Sequence, residues 1–217
     1  MKFAPEGWPF IVPAWALVAL GAWAVIKDWG WLWIPEVLLV AVAIWLLIFF
    51  RDPMRTGPRG DAVVIAPADG RIVDVAVVDE PMYVKAEATR ISIFMNVFNV
   101  HVNRYPVSGQ IELLHYHPGK FLHAASDKAS LDNEQSSVGI LGPHGPVLVR
   151  QIAGLIARRI ITDGGRGEAV SQAARLGMIR FGSRVDVFLP RASQAVVRVR
   201  VGDQVRAGAS VLAEYAA

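Results

Sequence analysis

Three short segments carry residue types that together could activate a hydroxyl group. Ser183 follows Gly182 beside a valine-rich stretch, Asp69 lies in the segment 66–70, and His101 lies in the segment 96–109. Aspartate, histidine and serine are the residue types with which many proteins turn a serine hydroxyl into a nucleophile. Because a glycine before the serine leaves the preceding carbonyl unhindered, Ser183 could attack its own peptide bond.

Each of these residues also has an ordinary structural explanation. Gly182-Ser183 is typical of a turn, Asp69 precedes a glycine as turn formers do, and His101 among valines is typical of a core histidine. The serine segment is not a nucleophile elbow, because Val185 occupies the place of the second glycine. The chain has no cysteine, which excludes disulfides, thiolate metal ligands and cysteine nucleophiles.

The histidines and the basic residues predict neither a metal site nor a nucleic-acid site. His115 and His117 alternate along a possible strand, but no third ligand has suitable spacing, so we expect no metal. The net charge of +3 comes from scattered single residues rather than a basic stripe. We therefore expect no nucleic-acid partner, and the basic surface suits either anionic lipid head groups or plain solvation.

The apolar start of the chain predicts a helical hairpin at a membrane. Two hydrophobic runs, 10–26 and 31–50, flank the polar turn 27–30, and tryptophans cluster at the ends of the runs as in an aromatic belt. Each run is near the minimum length of a span, so a hairpin that dips into the bilayer is an alternative to two full spans. A signal peptide is the other alternative, but no small-residue cleavage site precedes a polar start.

Charge around the hairpin predicts its orientation. One lysine precedes the two runs and three arginines follow them, against Lys27 in the turn. The positive-inside bias then places both chain ends in the cytoplasm. We expect a membrane-associated hairpin over 1–52 at the inner cell membrane, and a catalytic domain over 53–217 on its cytoplasmic face.

The remainder of the chain predicts a mainly β (α+β) domain. The motifs Ala-Pro-x-x-Gly-x-Ile at 66–72 and Gly-Asp-x-Val-x-x-Gly at 202–208 resemble the two halves of a barrel-sandwich hybrid, with glycines at the turns. Alternation over 196–201 predicts a further strand, and the polar stretch 126–137 predicts a flexible lip. Lipoyl and biotinyl carriers share this architecture, but their acceptor lysine at a hairpin tip has no counterpart here.

Taken together, these motifs resemble phosphatidylserine decarboxylases of the short bacterial type. The resemblance covers nearly the whole chain after residue 60. It rests on Pro67-Ala68-Asp69-Gly70, His101 with Pro106 and Gly109, Tyr116-His117-Pro118-Gly119, Asn133-Glu134 and Gly182-Ser183. The resemblance implies decarboxylation of phosphatidylserine in the membrane to phosphatidylethanolamine and carbon dioxide.

The family's chemistry implies that the protein makes its own cofactor. His101, oriented by Asp69, would deprotonate Ser183, whose oxygen attacks the Gly182 carbonyl. Elimination from the resulting ester would release a large β subunit, 1–182, and leave a pyruvoyl group at the start of a small α subunit, 183–217. The subunits would stay together as a heterodimer, and the pyruvoyl group would form a Schiff base with the substrate amine and act as an electron sink.

Arg104 departs from the family's better-known pattern. Many members have a second histidine at this position, whereas arginine stays protonated and cannot serve as an acid or base. We interpret Arg104 as a ligand for the substrate phosphate or carboxylate. The proton donor for the substrate α-carbon is then open between His101, His115 and His117.

Four other positions are interpreted from the same resemblance. Phe181 stands where leucine is usual, and we expect that this exchange only adjusts packing. His117, Asn133 and Glu134 are interpreted as substrate contacts.

A membrane-tethered adaptor or carrier module without catalysis is the alternative from a different class. Adaptors of this architecture insert a long helical hairpin between the two halves, and no heptad pattern is present here. An uncleaved chain on a denaturing gel would favour the adaptor, and two fragments would favour the enzyme.

Overall fold

The computed structural model describes residues 2–27, 31, 33–119, 133–154, 159–180 and 183–216. The chain divides into two units, Met1–Met54 and Arg55–Ala217. Residues Phe181 and Gly182, and most of the predicted lip, lie outside the described residues.

The first unit is an apolar helical hairpin, as the sequence predicts. Its elements are β1 (Lys2–Phe3), a 3-10 turn (Pro5–Gly7), α1 (Trp8–Ile26), α2 (Trp33–Phe49) and β2 (Arg51–Asp52). Strands β1 and β2 pair antiparallel and join the two ends of the hairpin. Helix α1 packs against α2 where Gly21 leaves no room for a side chain beside Glu36.

The helices of this hairpin are apolar on nearly every side. The segment Pro5–Ile26 is long and apolar enough to cross a membrane. Only 6% of its most hydrophobic 18-residue stretch is buried. Trp15, Leu20 and Trp23 are among its exposed side chains. A helix on a water-soluble protein buries one apolar stripe and keeps a polar face. The exposed apolar surface therefore suits lipid better than water.

The second unit is built from short strands. Their bounds are β3 (Val63–Ile65), β4 (Gly70–Glu80), β5 (Ala86–Met95), β6 (Val102–Arg104), β7 (Gly109–His117), β8 (Gln135–Gly142), β9 (Gly145–Ala153), β10 (Ile160–Thr162), β11 (Ala169–Val170), β12 (Arg175–Ile179), β13 (Ser183–Pro190), β14 (Val196–Val197), β15 (Gln204–Val205) and β16 (Val211–Glu214). A 3-10 turn, Arg191–Ser193, follows β13.

One large sheet and two small sheets enclose the core. The eight-stranded sheet has the order β11-β7-β8-β9-β13-β5-β4-β15, and the small sheets are β10-β12-β6 and β14-β16-β3. Register shifts interrupt β4 between Ile72 and Asp74 and β7 between Ile111 and Leu113. Such bulges bend a strand and increase its twist, so the large sheet curls around the apolar cluster that includes Ile93, Val185 and Val187.

The two predicted barrel halves pair in the structure. Strand β15 pairs with β4 through Val205 and Gly70, and β16 pairs with β3. Gly70 is required because a side chain there would collide with the Phe94 carbonyl. The prediction of a mainly β domain that follows a helical hairpin in the sequence is therefore confirmed.

Two local predictions are wrong. The predicted strand over 196–201 is too long: its pairing with β16 reaches Arg198, whose amide donates to the Leu212 carbonyl at 2.8 Å. The Gly202 amide then bonds to the Ile72 carbonyl, where the chain turns toward β15. The end of the predicted lip is not flexible: Ser136 and Ser137 lie buried in β8, where their hydroxyls bond to Thr162 and Arg150.

A buried ion pair lies on β13, on the face opposite Ser183. Arg184 donates to both Asp186 carboxylate oxygens at 2.6 and 3.0 Å and to the Ser92 hydroxyl at 2.9 Å. Their side chains are only 2% and 0% exposed. Breaking a buried pair leaves an uncompensated charge, so we expect Asp186→Ala to lower the free energy of unfolding by about 3–5 kcal/mol.

Urea unfolding of the full chain in detergent measures this effect, best in a Ser183→Ala background that cannot be cleaved. The matched control is Arg184→Met with Asp186→Leu, which removes both charges. We expect the control to lose much less stability than Asp186→Ala, because no charge is left buried. Equal losses for the two proteins would contradict the assignment of the cost to the orphaned charge.

Candidate active site

Most of the predicted site residues meet at one end of the eight-stranded sheet. Strand register pairs His117 with Gln135 and Gln135 with Ile152. It places the next residue of β9, Ala153, beside Ser183, and Ser183 beside Met95. Gly70 begins β4 beside the end of β5, so Asp69 joins the same end. Asn133 and Glu134 come directly before β8.

Ser183 begins β13, which lies between β5 and β9 at the centre of the sheet. It is fully buried, and its hydroxyl donates to the Met95 thioether sulfur at 3.3 Å. Strand β12, which precedes it, belongs to the small sheet beside β6. Consecutive strands β12 and β13 therefore belong to different sheets, and Ser183 is the first residue of the second.

His101 lies just before a strand of the same small sheet. It directly precedes β6, and β6 pairs with β12 through Val102 and Met178. The loop that leads to His101 leaves β5 at Met95, the residue opposite Ser183. Asn103, two residues after His101, contacts Met95, so the start of β6 lies near the strand partner of Ser183.

The tautomer of His101 follows from its hydrogen bond. The Nδ1 atom lies 3.0 Å from the Asn99 carbonyl oxygen. A carbonyl can only accept, so Nδ1 carries the proton and Nε2 is the basic nitrogen. Asn99 is itself fixed, because its side-chain oxygen accepts the Asn96 amide at 2.8 Å. A histidine in this tautomer can take a proton at Nε2.

Asp69 makes its hydrogen bonds elsewhere. Its carboxylate accepts from Arg55 at 2.7 Å and from the Ala207 amide at 2.8 Å. These bonds tie the start of β4 to the turn before β16 and to the beginning of the second unit. The predicted bond from Asp69 to His101 is not among them, and an orienting role for Asp69 stays a prediction.

Arg104 points away from Ser183. Adjacent side chains on a strand face opposite sides, and Asn103 is the β6 residue that contacts Met95, at 3.7 Å from its sulfur. Arg104 instead donates to the Ala173 carbonyl at 3.0 Å. Its side chain lies near Gly208, as does that of Arg55. A role of Arg104 as a substrate ligand stays a prediction.

Asn133 and Glu134 support the neighbour of Ser183. The Asn133 amide donates to the Ala153 carbonyl at 2.7 Å, and the Ala153 amide donates to the Glu134 carbonyl at 2.9 Å. Ala153 is the β9 partner of Ser183. Desolvation and the Glu134 carboxylate also raise the pKa of Tyr116. The backbone next to Ser183 is therefore held in place by both residues.

His117 lies at the same end of the sheet but not next to Ser183. It ends β7, which is separated from β13 by β8 and β9. Three strand spacings correspond to about 14 Å. His117 is exposed, whereas His101 is buried. Within the described parts of the chain, no group of three metal-ligating side chains occurs.

Comparison with known proteins decides the family. The family model for phosphatidylserine decarboxylase matches residues 42–213. The chain is also 48% identical over 213 residues to the phosphatidylserine decarboxylase proenzyme of Azorhizobium caulinodans. The aligned region covers 97% of this chain and 88% of that protein. The chain belongs to the phosphatidylserine decarboxylase family.

As a phosphatidylserine decarboxylase, the chain is an enzyme, and the resemblance drawn from the sequence is confirmed. The non-catalytic adaptor is set aside. The matched region, 42–213, includes every residue that was interpreted as part of the site.

The decarboxylase site contains a polar chain that the sequence analysis missed. Hydrogen bonds link Ser136, Thr162, Gln151 and Asn103 at distances of 2.7, 2.9 and 2.8 Å. Asn103 and Gln151 are fully buried, and Ser136 is 7% exposed. A sequence signal that could have found Asn103 is its place beside Arg104 on a short strand, which puts the two side chains on opposite faces.

Proposed function

We propose that this phosphatidylserine decarboxylase cleaves its own 182–183 bond and converts Ser183 into a pyruvoyl group. The observation that carries the proposal is a fully buried serine at the start of a central strand, where the preceding strand belongs to a different sheet. Such a residue keeps its place after the preceding bond is broken, because β5 and β9 still hold its strand.

The surroundings of Ser183 suit a small ketone. The side chain packs against the Met95 thioether, and Val185 and Ile93 continue the same apolar face. Ser183 is fully buried, so a carbonyl at this position is shielded from bulk solvent. A pyruvoyl group supplies an electrophilic carbonyl for the lipid amine and an electron sink for the pair left by carbon dioxide.

The first step of maturation moves the peptide carbonyl from nitrogen to oxygen. His101 Nε2 takes the proton of the Ser183 hydroxyl, and the oxygen bonds to the Gly182 carbonyl carbon. The carbon–nitrogen bond breaks, the nitrogen of residue 183 takes the proton, and an ester results. No external reagent is consumed.

The second step opens the chain. Loss of the α-proton of residue 183 breaks its Cβ–oxygen bond and releases the large subunit as a carboxylate. Water then adds to the remaining dehydroalanine, ammonia leaves, and a ketone is formed. In the decarboxylation that follows, we assign to His101 the proton that the substrate α-carbon takes up.

Both subunits contribute strands to each of two sheets, which supports a stable heterodimer of 1–182 and 183–217. Strand β13 lies between β5 and β9, β15 extends the edge at β4, and β16 pairs with β3. Separating the subunits would expose the central strand of the core. His117, Asn133 and Glu134 are proposed to contact the head group from the neighbouring strands.

The exposed apolar surface of α1 and α2 supports membrane association of the hairpin. We propose a membrane-associated part at 1–52 and a catalytic part at 53–217, with the catalytic part on the cytoplasmic face of the inner membrane. A diacyl lipid substrate partitions into the bilayer, so an anchored enzyme meets it there.

Intact mass of the purified full-length protein tests the proposal. We expect two chains, residues 1–182 and 183–217, with the small chain lighter than its serine form by one ammonia. Borohydride reduction should add two hydrogens to the small chain only, because it alone carries a ketone. A single chain of full length, or a small chain that still begins with serine, would contradict the proposal.

A further inference from the structure

We propose that the Asn103 side-chain amide binds the carboxylate of the phosphatidylserine head group at residue 183. This inference rests on the proposed conversion of Ser183. The sequence analysis had assigned a contact with the substrate phosphate or carboxylate to the neighbouring residue, Arg104. The structure separates the two residues, because Asn103 faces Met95 and Ser183 while Arg104 faces the Ala173 carbonyl.

The direction of the polar chain fixes how Asn103 is turned. The Thr162 hydroxyl donates to the Gln151 side-chain oxygen at 2.9 Å, so the Gln151 nitrogen must be the donor to the next residue. That nitrogen donates to the Asn103 oxygen at 2.8 Å. The Asn103 nitrogen therefore faces the other way, toward Met95. A flip of the Asn103 amide alone would lose its bond to Gln151.

The Asn103 nitrogen has more donor capacity than its surroundings use. It carries two N–H groups, and its acceptor is the Met95 thioether sulfur at 3.7 Å, a weak acceptor. Asn103 is also fully buried, away from bulk solvent. Buried donors without good acceptors cost free energy, and at such positions a ligand is a common reason for their retention.

The amide nitrogen is close enough to residue 183 to reach a group attached there. The Ser183 hydroxyl and the Asn103 nitrogen lie 3.3 and 3.7 Å from the same sulfur atom, so they are no more than about 7 Å apart. A carboxylate one carbon away from an amine joined to residue 183 falls in this space. The Met95 sulfur can turn aside at little cost, because methionine is flexible.

A neutral donor suits a carboxylate that must leave as carbon dioxide. An arginine would bind the carboxylate strongly in the ground state, and that binding would be lost as the charge disappears. An amide orients the group with a weaker bond. It also discriminates between substrate and product, since phosphatidylethanolamine has no carboxylate to satisfy the buried donor.

The test uses full-length protein in mixed micelles and the variants Asn103→Leu and Asn103→Asp, which keep the side-chain size. Each protein is first checked for the ketone by intact mass. Cyanoborohydride then reduces the imine between a lipid amine and residue 183 to a stable adduct, with phosphatidylserine or phosphatidylethanolamine as the probe. The fraction of the small chain that carries the adduct is measured by mass at each lipid concentration. Ser92→Ala is the matched control, because it removes a buried hydrogen bond to Arg184 on the opposite face.

We expect Asn103→Leu to raise the phosphatidylserine concentration for half-maximal trapping roughly ten- to a hundredfold and to leave trapping of phosphatidylethanolamine unchanged. Asn103→Asp should weaken phosphatidylserine further through charge repulsion. The proposal would be overturned if Asn103→Leu changed the trapping of both lipids equally or changed neither. It would also be overturned if both Asn103 variants failed to mature while Ser92→Ala matured. Wild-type protein without a ketone would instead refute the proposed function.

Discussion

Ser183→Ala will remain a single chain, without a ketone and without decarboxylase activity. Alanine has no oxygen to attack the preceding carbonyl, so neither the ester nor the later elimination can form. The fold should be unaffected, because the substitution removes only a hydrogen bond to the Met95 thioether. The expected loss of activity is therefore complete, while the circular dichroism spectrum and melting temperature stay close to those of the unprocessed wild-type chain.

The measurement is intact mass after prolonged incubation, together with release of carbon dioxide from phosphatidylserine micelles. Ser92→Ala serves as the control here too, since Ser92 is a fully buried serine on the neighbouring strand β5. It should mature at the wild-type rate. Cleavage of Ser183→Ala at the 182–183 bond would show that another group starts the reaction.

Strand pairing at the two ends of the catalytic unit could be predicted from the sequence because local signals agree there. Gly202 and Gly208 mark turns, Gly70 marks a close approach of two strands, and the valines near them mark strands. The same reasoning failed for 196–201, where alternation of apolar and basic residues is equally regular. The backbone leaves the sheet at that point because Gly202 bonds to Ile72, and no local residue pattern contains that information.

The hydrogen-bond partners within the site could not be predicted for a related reason. Asp69 bonds to the amide of Ala207, which is 138 residues away in the sequence. Asn103 and Gln151 are 48 residues apart and lie on different sheets. Residue type suggests that each is polar and able to bond, but only the pairing of strands decides which groups meet.

Face alternation adds a geometric argument to the interpretation of Arg104. The resemblance points to Arg104 because a histidine usually stands at that position. On strand β6, however, adjacent residues face opposite sides, so Asn103 and Arg104 do not share a face. Asn103 is the residue that contacts Met95, the strand partner of Ser183. A sequence motif can therefore point to a position such as 104, but the geometry of the strand decides which groups the side chain at that position can contact.

His101→Ala will slow self-cleavage roughly a hundred- to ten-thousandfold, the range expected for loss of a general base. The proposed base is Nε2, since Nδ1 donates to the Asn99 carbonyl. His101→Gln should be equally slow, because glutamine keeps a polar group but takes up no proton. The rate is read as the fraction of cleaved chain against time after synthesis, and added imidazole should restore part of it.

Asp69→Asn separates the two explanations of how His101 is oriented. Asparagine keeps an oxygen for the Ala207 amide and loses the ion pair with Arg55. Since the Asn99 carbonyl already fixes the tautomer of His101, we expect Asp69→Asn to slow cleavage far less than His101→Ala. If the two variants are equally slow, Asp69 must act on His101 directly, and its bonds to Arg55 and Ala207 must give way during maturation.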